Sequence, residues 1–78
     1  MAEIKFDIKE TLITLTESEE WNKEVNLVSW NGREYKLDIR EWNKSHTKMK
    51  KGIVLTNEEM RKILESEEIK EFLKSNEK

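Results

Sequence analysis

The side chains that most often carry out catalysis are scarce in this sequence. It contains no cysteine and a single histidine, His46, which excludes histidine clusters, thiolate metal sites and Cys/His nucleophiles. Adjacent carboxylates such as Glu19 and Glu20 are far more often solvated surface than an acid and base pair. Gly32 and Gly52 are the only glycines, and two isolated glycines cannot form a phosphate-binding loop. We therefore expect a protein that is not an enzyme and that binds no metal and no cofactor.

The tryptophans are better placed for a binding site. Trp21, Trp30 and Trp42 are each followed by asparagine, a turn former, which predicts that each lies at the end of a strand, at the rim and not in the core. Trp42 shares a predicted strand face with Arg40 and Lys36. Unpaired bases stack on aromatic rings for about 1 to 3 kcal/mol each, while basic side chains neutralise phosphates. Such a surface suits a single-stranded nucleic acid, although a tryptophan at a strand end can also simply cover the sheet edge.

Charge is distributed unevenly along the chain. Residues 1–30 carry three lysines and seven acids, residues 31–52 carry seven basic residues and three acids, and residues 57–78 carry five and seven. The formal net charge of −2 argues against binding by bulk positive charge. The middle of the sequence is nevertheless a basic island, and directly after Trp42 it contains Lys44, Lys48, Lys50 and Lys51.

The length of the chain favours a single domain that forms a dimer. A domain of 78 residues buries only about 60% of the surface that its unfolded chain exposes, so its own core is marginal. Without cysteine or metal ligands, oligomerisation is the usual remedy. No apolar run approaches the length of a membrane span and no secretory signal is visible. We expect one domain over residues 1–78, a homodimer, in the cytoplasm and with no membrane partner.

Hydrophobic alternation predicts four strands. Ile4, Phe6 and Ile8 alternate with polar residues, but after Glu10 the phase slips, which predicts one long strand with a bulge. Residues 16–22 are predicted to be the connecting loop. Two further alternating sets follow, at residues 25–29 and 35–39, and residues 52–55 supply a short fourth strand after a polar loop at residues 43–51.

The register of the central hairpin follows from its apolar face. A two-residue turn at Asn31-Gly32 would split that face, whereas an odd-length loop with Gly32 left-handed restores it. The core face then consists of Val25, Leu27, Tyr35, Leu37 and Ile39. The opposite face consists of Asn26, Val28, Lys36, Asp38, Arg40 and Trp42.

A helix is predicted to follow the fourth strand. Thr56 and Glu59 form a capping box, so the helix should begin at Asn57. Its first apolar stripe contains Met60, Ile63 and Leu64. A second stripe at Ile69, Phe72 and Leu73 is rotated by roughly half a turn from the first at 3.6 residues per turn. Either Ser66 restarts the helix, or one continuous helix has two apolar faces, one for the sheet and one for a partner chain.

Two ordered motifs make the sequence recognisable. Residues 36–42 (KLDIREW), a polar loop, residues 48–56 (KMKKGIVLT) and an acidic-capped helix resemble the core of the positive cofactor four family of transcriptional coactivators. The bacterial YdbC-like branch is most similar, because it also has residues 28–31 (VSWN) and a histidine in the loop. The resemblance covers about Val25 to Leu64.

The resemblance implies an α+β fold, in which a curved four-stranded antiparallel β-sheet is followed by a C-terminal α-helix (ββββα). It also implies a homodimer, paired through the helices, whose sheets line channels for single-stranded DNA. Arg40, Lys50 and Lys51 would contact phosphates and Trp42 would stack on bases. Trp30 and Lys36 lie where the family also uses aromatic and basic groups, and the transcription machinery is a potential partner.

Two alternatives stay open at this point. The same surface could bind RNA, because stacking and phosphate contacts do not distinguish ribose from deoxyribose. The chain could also be a protein-interaction module with tryptophan and arginine as hot spots. Salt dependence separates the second alternative, since phosphate contacts are lost as the salt concentration rises whereas an interface built on tryptophan is less sensitive.

Overall fold

One four-stranded antiparallel sheet followed by two helices makes up the protein, as seen in a computed structural model that describes residues 4–76. The elements are β1 (Phe6–Glu17), β2 (Trp21–Trp30), β3 (Lys36–Asn43), β4 (Ile53–Leu55), α1 (Asn57–Glu65) and α2 (Glu67–Ser75). The strands lie in the sheet in chain order, so each one pairs with the next. This confirms the predicted ββββα order. Within residues 4–76, no helix is long and apolar enough to cross a membrane.

Strand β1 is long and repeatedly bulged. Its pairing with β2 shifts register between Ile8 and Glu10, again before Ile13, and again after Thr14. Each shift leaves one residue of β1 unpaired, which bends the strand and increases its twist. The bulges have a consequence for packing, because Leu12, Ile13 and Leu15 all line one apolar groove, which strict alternation along a regular strand would prevent.

The connection between β1 and β2 is shorter than expected. The prediction of a loop over residues 16–22 is wrong, because β1 extends to Glu17 and β2 begins at Trp21. Ser18 closes the turn: its N–H donates to the Trp21 carbonyl at 2.8 Å and its hydroxyl accepts from the Trp21 N–H at 3.1 Å. A tight turn of this kind frees the flanking residues to continue the strands.

The predicted register of the β2–β3 hairpin is confirmed. Leu27 lies opposite Leu37 and Val25 opposite Ile39, and the loop turns through left-handed residues at Asn31 (φ 53°) and Gly32 (φ 76°). Tyr35 differs from the prediction. It lies outside β3 and is exposed, because its hydroxyl donates to the Asp7 carboxylate instead of entering the core.

The two sides of the sheet differ in composition and burial. The apolar face carries Val25, Leu27, Leu37, Ile39, Ile53 and Leu55, and the polar face carries Asn22, Glu24, Asn26, Val28, Trp30, Lys36, Asp38, Arg40 and Trp42. Val28, Asn26, Asp38 and Trp42 on the polar face are fully buried, whereas on the apolar face Ile53 stays exposed. Among the residues that the structure describes, the most deeply buried side chains therefore lie on the polar face.

The helices leave the apolar face open. The Thr56 capping box is present, and α1 ends where Ser66 adopts extended backbone and caps α2 with its hydroxyl. This confirms that Ser66 restarts the helix. Neither helix buries a residue. An open apolar groove of about 420 Å³ therefore remains, lined by Leu12, Ile13, Leu15, Val25, Leu37, Ile39, Met60, Ile63 and Leu64.

Candidate nucleic-acid interface

Arg40 is held in place by a buried carboxylate. Because residues two apart on a strand share a face, Asp38 and Arg40 meet on the polar face, with Nε 2.6 Å from Oδ1 and Nη2 2.7 Å from Oδ2. The remaining guanidinium nitrogen, Nη1, lies 3.5 Å from the sulfur of Met49. Gly52 allows this arrangement, because a Cβ there would collide with the Arg40 side chain and the Ile39 carbonyl. The charge of Arg40 is thus compensated within the protein.

The Trp30 ring lies beside Arg40 and Phe6. The Arg40 guanidinium lies 4.7 Å from the centroid of the Trp30 ring, and the Phe6 ring lies 6.0 Å from it at a tilt of 50°. Trp30 is half-buried. Beside it is a recess of about 260 Å³ lined by Trp30, Arg33, Glu34, Lys36 and Val54. The structure therefore brings predicted residues Trp30, Lys36 and Arg40 together around a braced aromatic ring.

Trp42 lies in the interior. The prediction that every tryptophan lies at the rim is wrong for this residue, because Trp42 is 0% exposed. The Phe6 ring packs 5.0 Å from it and the His46 ring 5.7 Å from it. The first comes from β1 and the second folds back from the loop after β3. In this conformation Trp42 offers no open ring face for a base.

A second buried carboxylate organises the other end of the polar face. Glu24 is 3% exposed, and its Oε1 accepts from Asn26 at 3.0 Å and lies 2.8 Å from His46 Nε2. Burial pushes the pKa of Glu24 upward, but hydrogen bonds from Asn26, His46 and Asn22 and the charge of His46 outweigh it and hold the pKa below its usual value. Glu24 is therefore ionised near neutral pH.

The loop between β3 and β4 is built around one asparagine. The Asn43 carbonyl accepts from the His46 N–H at 3.0 Å, and Asn43 Oδ1 accepts from the N–H groups of Thr47 and Lys48 at 2.9 Å each. His46 itself has a left-handed backbone, with φ 58°. The basic loop, residues 44–51, is therefore an ordered turn.

The four predicted lysines of the basic loop lie in different surroundings. Lys44 donates to Asn22 Oδ1 at 2.7 Å and lies 3.6 Å from a Glu17 oxygen. Lys50 lies 4.6 Å from the Trp21 ring centroid and 3.7 Å from a Glu41 oxygen. Trp21 and Glu41 alternate with Asn22 and Trp42 along their strands, so Lys50 lies on the other side of the sheet from Trp42.

The remaining predicted lysines are available for a ligand. Lys36, Lys48 and Lys51 are exposed, and among residues 4–76 none of their ammonium groups makes an ion pair or hydrogen bond. Lys36 also lines the recess beside Trp30. Of the predicted cations, these three are therefore the best placed to neutralise phosphates.

Sequence reasoning missed the residues that brace the site. Phe6 was assigned only to a strand, and Glu24 was not singled out. Asp38 was assigned to the same face as Arg40, but their pairing was not predicted. One signal was present, because Glu24 and Asn26 flank Val25 on β2 and Asp38 stands two residues before Arg40. Such period-two polar runs indicate a polar sheet face whose charges must be paired.

Comparison with known proteins agrees with this architecture. The family model described as Transcriptional Coactivator p15 (PC4) matches residues 13–66, which is more than half of the chain and runs from β1 to the cap between the two helices. An uncharacterized protein of Treponema pallidum (strain Nichols) is 48% identical over 40 residues, which are 51% of this chain and 47% of that protein. The match thus spans about half the length of that relative. The chain belongs to the transcriptional coactivator p15 (PC4) family.

Proposed function

We propose that the protein binds single-stranded DNA on the polar face of its sheet, with little sequence preference, and acts in transcription or in handling opened DNA. The observation that carries this proposal is the half-buried Trp30 ring, which lies beside Phe6 and the Asp38-paired Arg40 and lines an open recess with Lys36. Membership of a coactivator family that is not enzymatic supports the same conclusion.

Stacking would provide the sequence-tolerant part of the binding. A base on an aromatic ring gains about 1 to 3 kcal/mol whatever its identity, because every base has a π face. A ring that is already fixed loses less conformational entropy on binding than a mobile one. The pairing of Arg40 with Asp38 fixes the guanidinium and thereby supports the Trp30 ring at the wall of the recess that it lines.

The exposed lysines would provide the electrostatic part. Lys36, Lys48 and Lys51 are the candidates, since Arg40 is neutralised by Asp38 and Lys50 lies over Trp21. Each phosphate contact on a single strand contributes about 0.7 to the slope of log affinity against log salt. Three contacts per protomer therefore correspond to a slope of about −2.

We also propose that the functional unit is a homodimer. The apolar groove and the exposed side chains of Leu12, Ile13, Leu15 and Leu64 (46%, 55%, 50% and 65% exposed) form a large apolar surface for so small a domain. Surfaces of this size usually mark an interaction site. A second copy that covers the groove would supply the core that the monomer lacks.

The experiment that tests the proposal compares two double lysine variants. Fluorescence anisotropy of labelled oligo-dT of about 20 nucleotides is titrated with wild type, with Lys36→Gln/Lys51→Gln, and with a matched control on the helices, Lys62→Gln/Lys74→Gln. The site variant should bind more weakly and reduce the salt slope by about 1.4, the value for two lost contacts. The control has the same net charge and should keep the wild-type slope.

The outcomes are distinguishable. If the wild type does not bind at low salt, the nucleic-acid proposal fails and the protein-interaction alternative is the next to test. If both variants lose the same affinity and slope, the binding is due to bulk charge and not to this face. Competition with oligo-U of the same length in the same assay decides between DNA and RNA.

A further inference from the structure

One histidine contact joins the basic loop to the polar face. The His46 ring reaches back from the loop to the buried Glu24 carboxylate at 2.8 Å, and its centroid lies 5.7 Å from that of the Trp42 ring at a tilt of 41°. The Asn43 hydrogen bonds shape the turn, but they lie within the β3 end and the loop itself. Met49 contacts Arg40 and Lys44 reaches Asn22, but His46 is the loop side chain that contacts both the buried Glu24 carboxylate and the buried Trp42 ring.

Both residues of the His46–Glu24 contact are constrained by their surroundings. Glu24 is 3% exposed and is also bonded to Asn26 and Asn22, so its position does not depend on His46 alone. His46 has a left-handed backbone, which costs energy for a side chain other than glycine and persists only where the surroundings compensate it. The bond to an ionised carboxylate is the kind of hydrogen bond that can do so.

We propose that His46 is a positioning residue for single-strand binding: by fastening the basic loop to Glu24 and Trp42, it places Lys48 and Lys51 where they can contact phosphates. This inference depends on the proposed function for its consequence in binding, and it concerns a side chain that need not touch the strand.

Three variants test the role of the side chain. His46→Ala removes the contact and should weaken oligo-dT binding about tenfold, since the loop loses its hydrogen bond to the ionised Glu24 carboxylate. His46→Gln retains an amide donor and should recover most of the affinity at neutral pH. His46→Asn keeps a residue that tolerates left-handed backbone but is too short to reach Glu24, so it should resemble His46→Ala and thereby separate the contact from the turn.

Rescue by the conservative variant provides a readout that a purely structural role would not change. His46→Gln can donate to Glu24 as His46 does, so it should bind oligo-dT more tightly than His46→Ala. Equal affinities in these two variants overturn the proposal, as does a gain in affinity in His46→Ala, which would make the loop a cover over Trp42.

A measurement without DNA separates this inference from the proposed function. Amide hydrogen exchange of residues 44–51 in the free protein should accelerate about tenfold in His46→Ala and in His46→Asn but not in His46→Gln. If wild type binds no strand and the loop is still released in His46→Ala, the proposed function fails and the anchoring of the loop stands. If exchange in the loop is unchanged, the anchoring is refuted whatever the DNA result.

Discussion

At the level of single residues, the polar face depends on two buried carboxylates. Asp38 is fully buried beneath Arg40, and Glu24 beneath His46. A buried carboxylate without partners is costly, so each basic partner is constrained by the acid that it neutralises. Residue type alone suggests that Arg40 and His46 bind a ligand. The buried carboxylates explain why both are instead parts of the framework beneath Trp30 and Trp42.

Removal of the Asp38 charge should therefore be costly. We expect Asp38→Asn to lower the free energy of unfolding by about 3 kcal/mol, because it leaves the Arg40 guanidinium buried without an acid. Urea denaturation followed by far-UV circular dichroism measures this loss. Glu41→Gln is the control, since the Lys50–Glu41 pair is partly exposed and such pairs contribute less than about 1 kcal/mol. Equal losses in the two variants would contradict the role assigned to Asp38.

The Glu24 carboxyl should make folding stability depend on pH in acid. Its pKa in the folded state lies below the ordinary value of 4.5, so the folded protein releases this proton more readily than the unfolded chain. The resulting stabilisation is complete above about pH 4.5 and is lost as the pH falls through the folded-state pKa. Urea unfolding at about pH 5 and pH 3 should show a smaller pH dependence in Glu24→Gln than in wild type. The same slope in both would show that Glu24 titrates normally.

At the level of elements, the sequence predicted the order of the strands and the β2–β3 register better than it predicted the bulges of β1. Period-two alternation determined the β2–β3 pairing, and the capping box located the start of α1. The phase slip after Glu10 indicated a bulge, but three register shifts occur in β1. The alternation of apolar and polar residues does not predict the number of bulges. Each bulge depends on how β1 bends over the apolar groove that its own side chains help to line.

The same limit applies to the candidate site. That Lys36, Arg40 and Trp42 share a face follows from their spacing, and the structure confirms it. The burial of Trp42 does not follow from spacing, because Phe6 and His46, which cover it, lie far from it in sequence or in a loop of irregular backbone. The directions of the side chains in the basic loop could not be predicted from a periodic pattern either. Lys50 is the clearest example, because it lies over Trp21.

Ser66 should determine the break between the helices. Its hydroxyl accepts from the Ile69 N–H at 3.1 Å, so Ser66→Ala should reduce the stability of α2 by about 1 kcal/mol. Amide hydrogen exchange of Ile69 and its neighbours measures this local loss, with Ser75→Ala as the control at the other end of α2. No change in protection after removal of the cap would show that α2 is held by other contacts.

At the level of the whole molecule, the folded monomer is incomplete on one side. Within the described residues 4–76, four apolar side chains are buried, Val25, Val28, Trp42 and Leu55, while the apolar groove and both helices remain open. A small domain with such a core gains stability by burying its exposed apolar face against another chain. The proposed homodimer accounts for this surface and leaves the polar faces available for a strand.

A charge placed in the groove should disrupt that dimer. Leu64 is 65% exposed and lines the groove, so Leu64→Glu should shift the protein to monomer in sedimentation equilibrium by adding a buried, unpaired carboxylate to the interface. Leu73→Glu on α2, outside the groove, tests whether the effect is specific to that surface. A wild type that sediments as a monomer would remove the basis for the dimer.

The most direct test of the central claim compares two tryptophans on opposite sides of the sheet. Oligo-dT binding is measured by fluorescence anisotropy for Trp30→Ala and Trp21→Ala, each checked for its fold by circular dichroism. Trp30→Ala should lose about 5- to 150-fold in affinity, the equivalent of one stacked base at about 1 to 3 kcal/mol, whereas Trp21→Ala should stay within about twofold of wild type. Equal losses in the two variants, or a larger loss in Trp21→Ala, would contradict binding on the polar face.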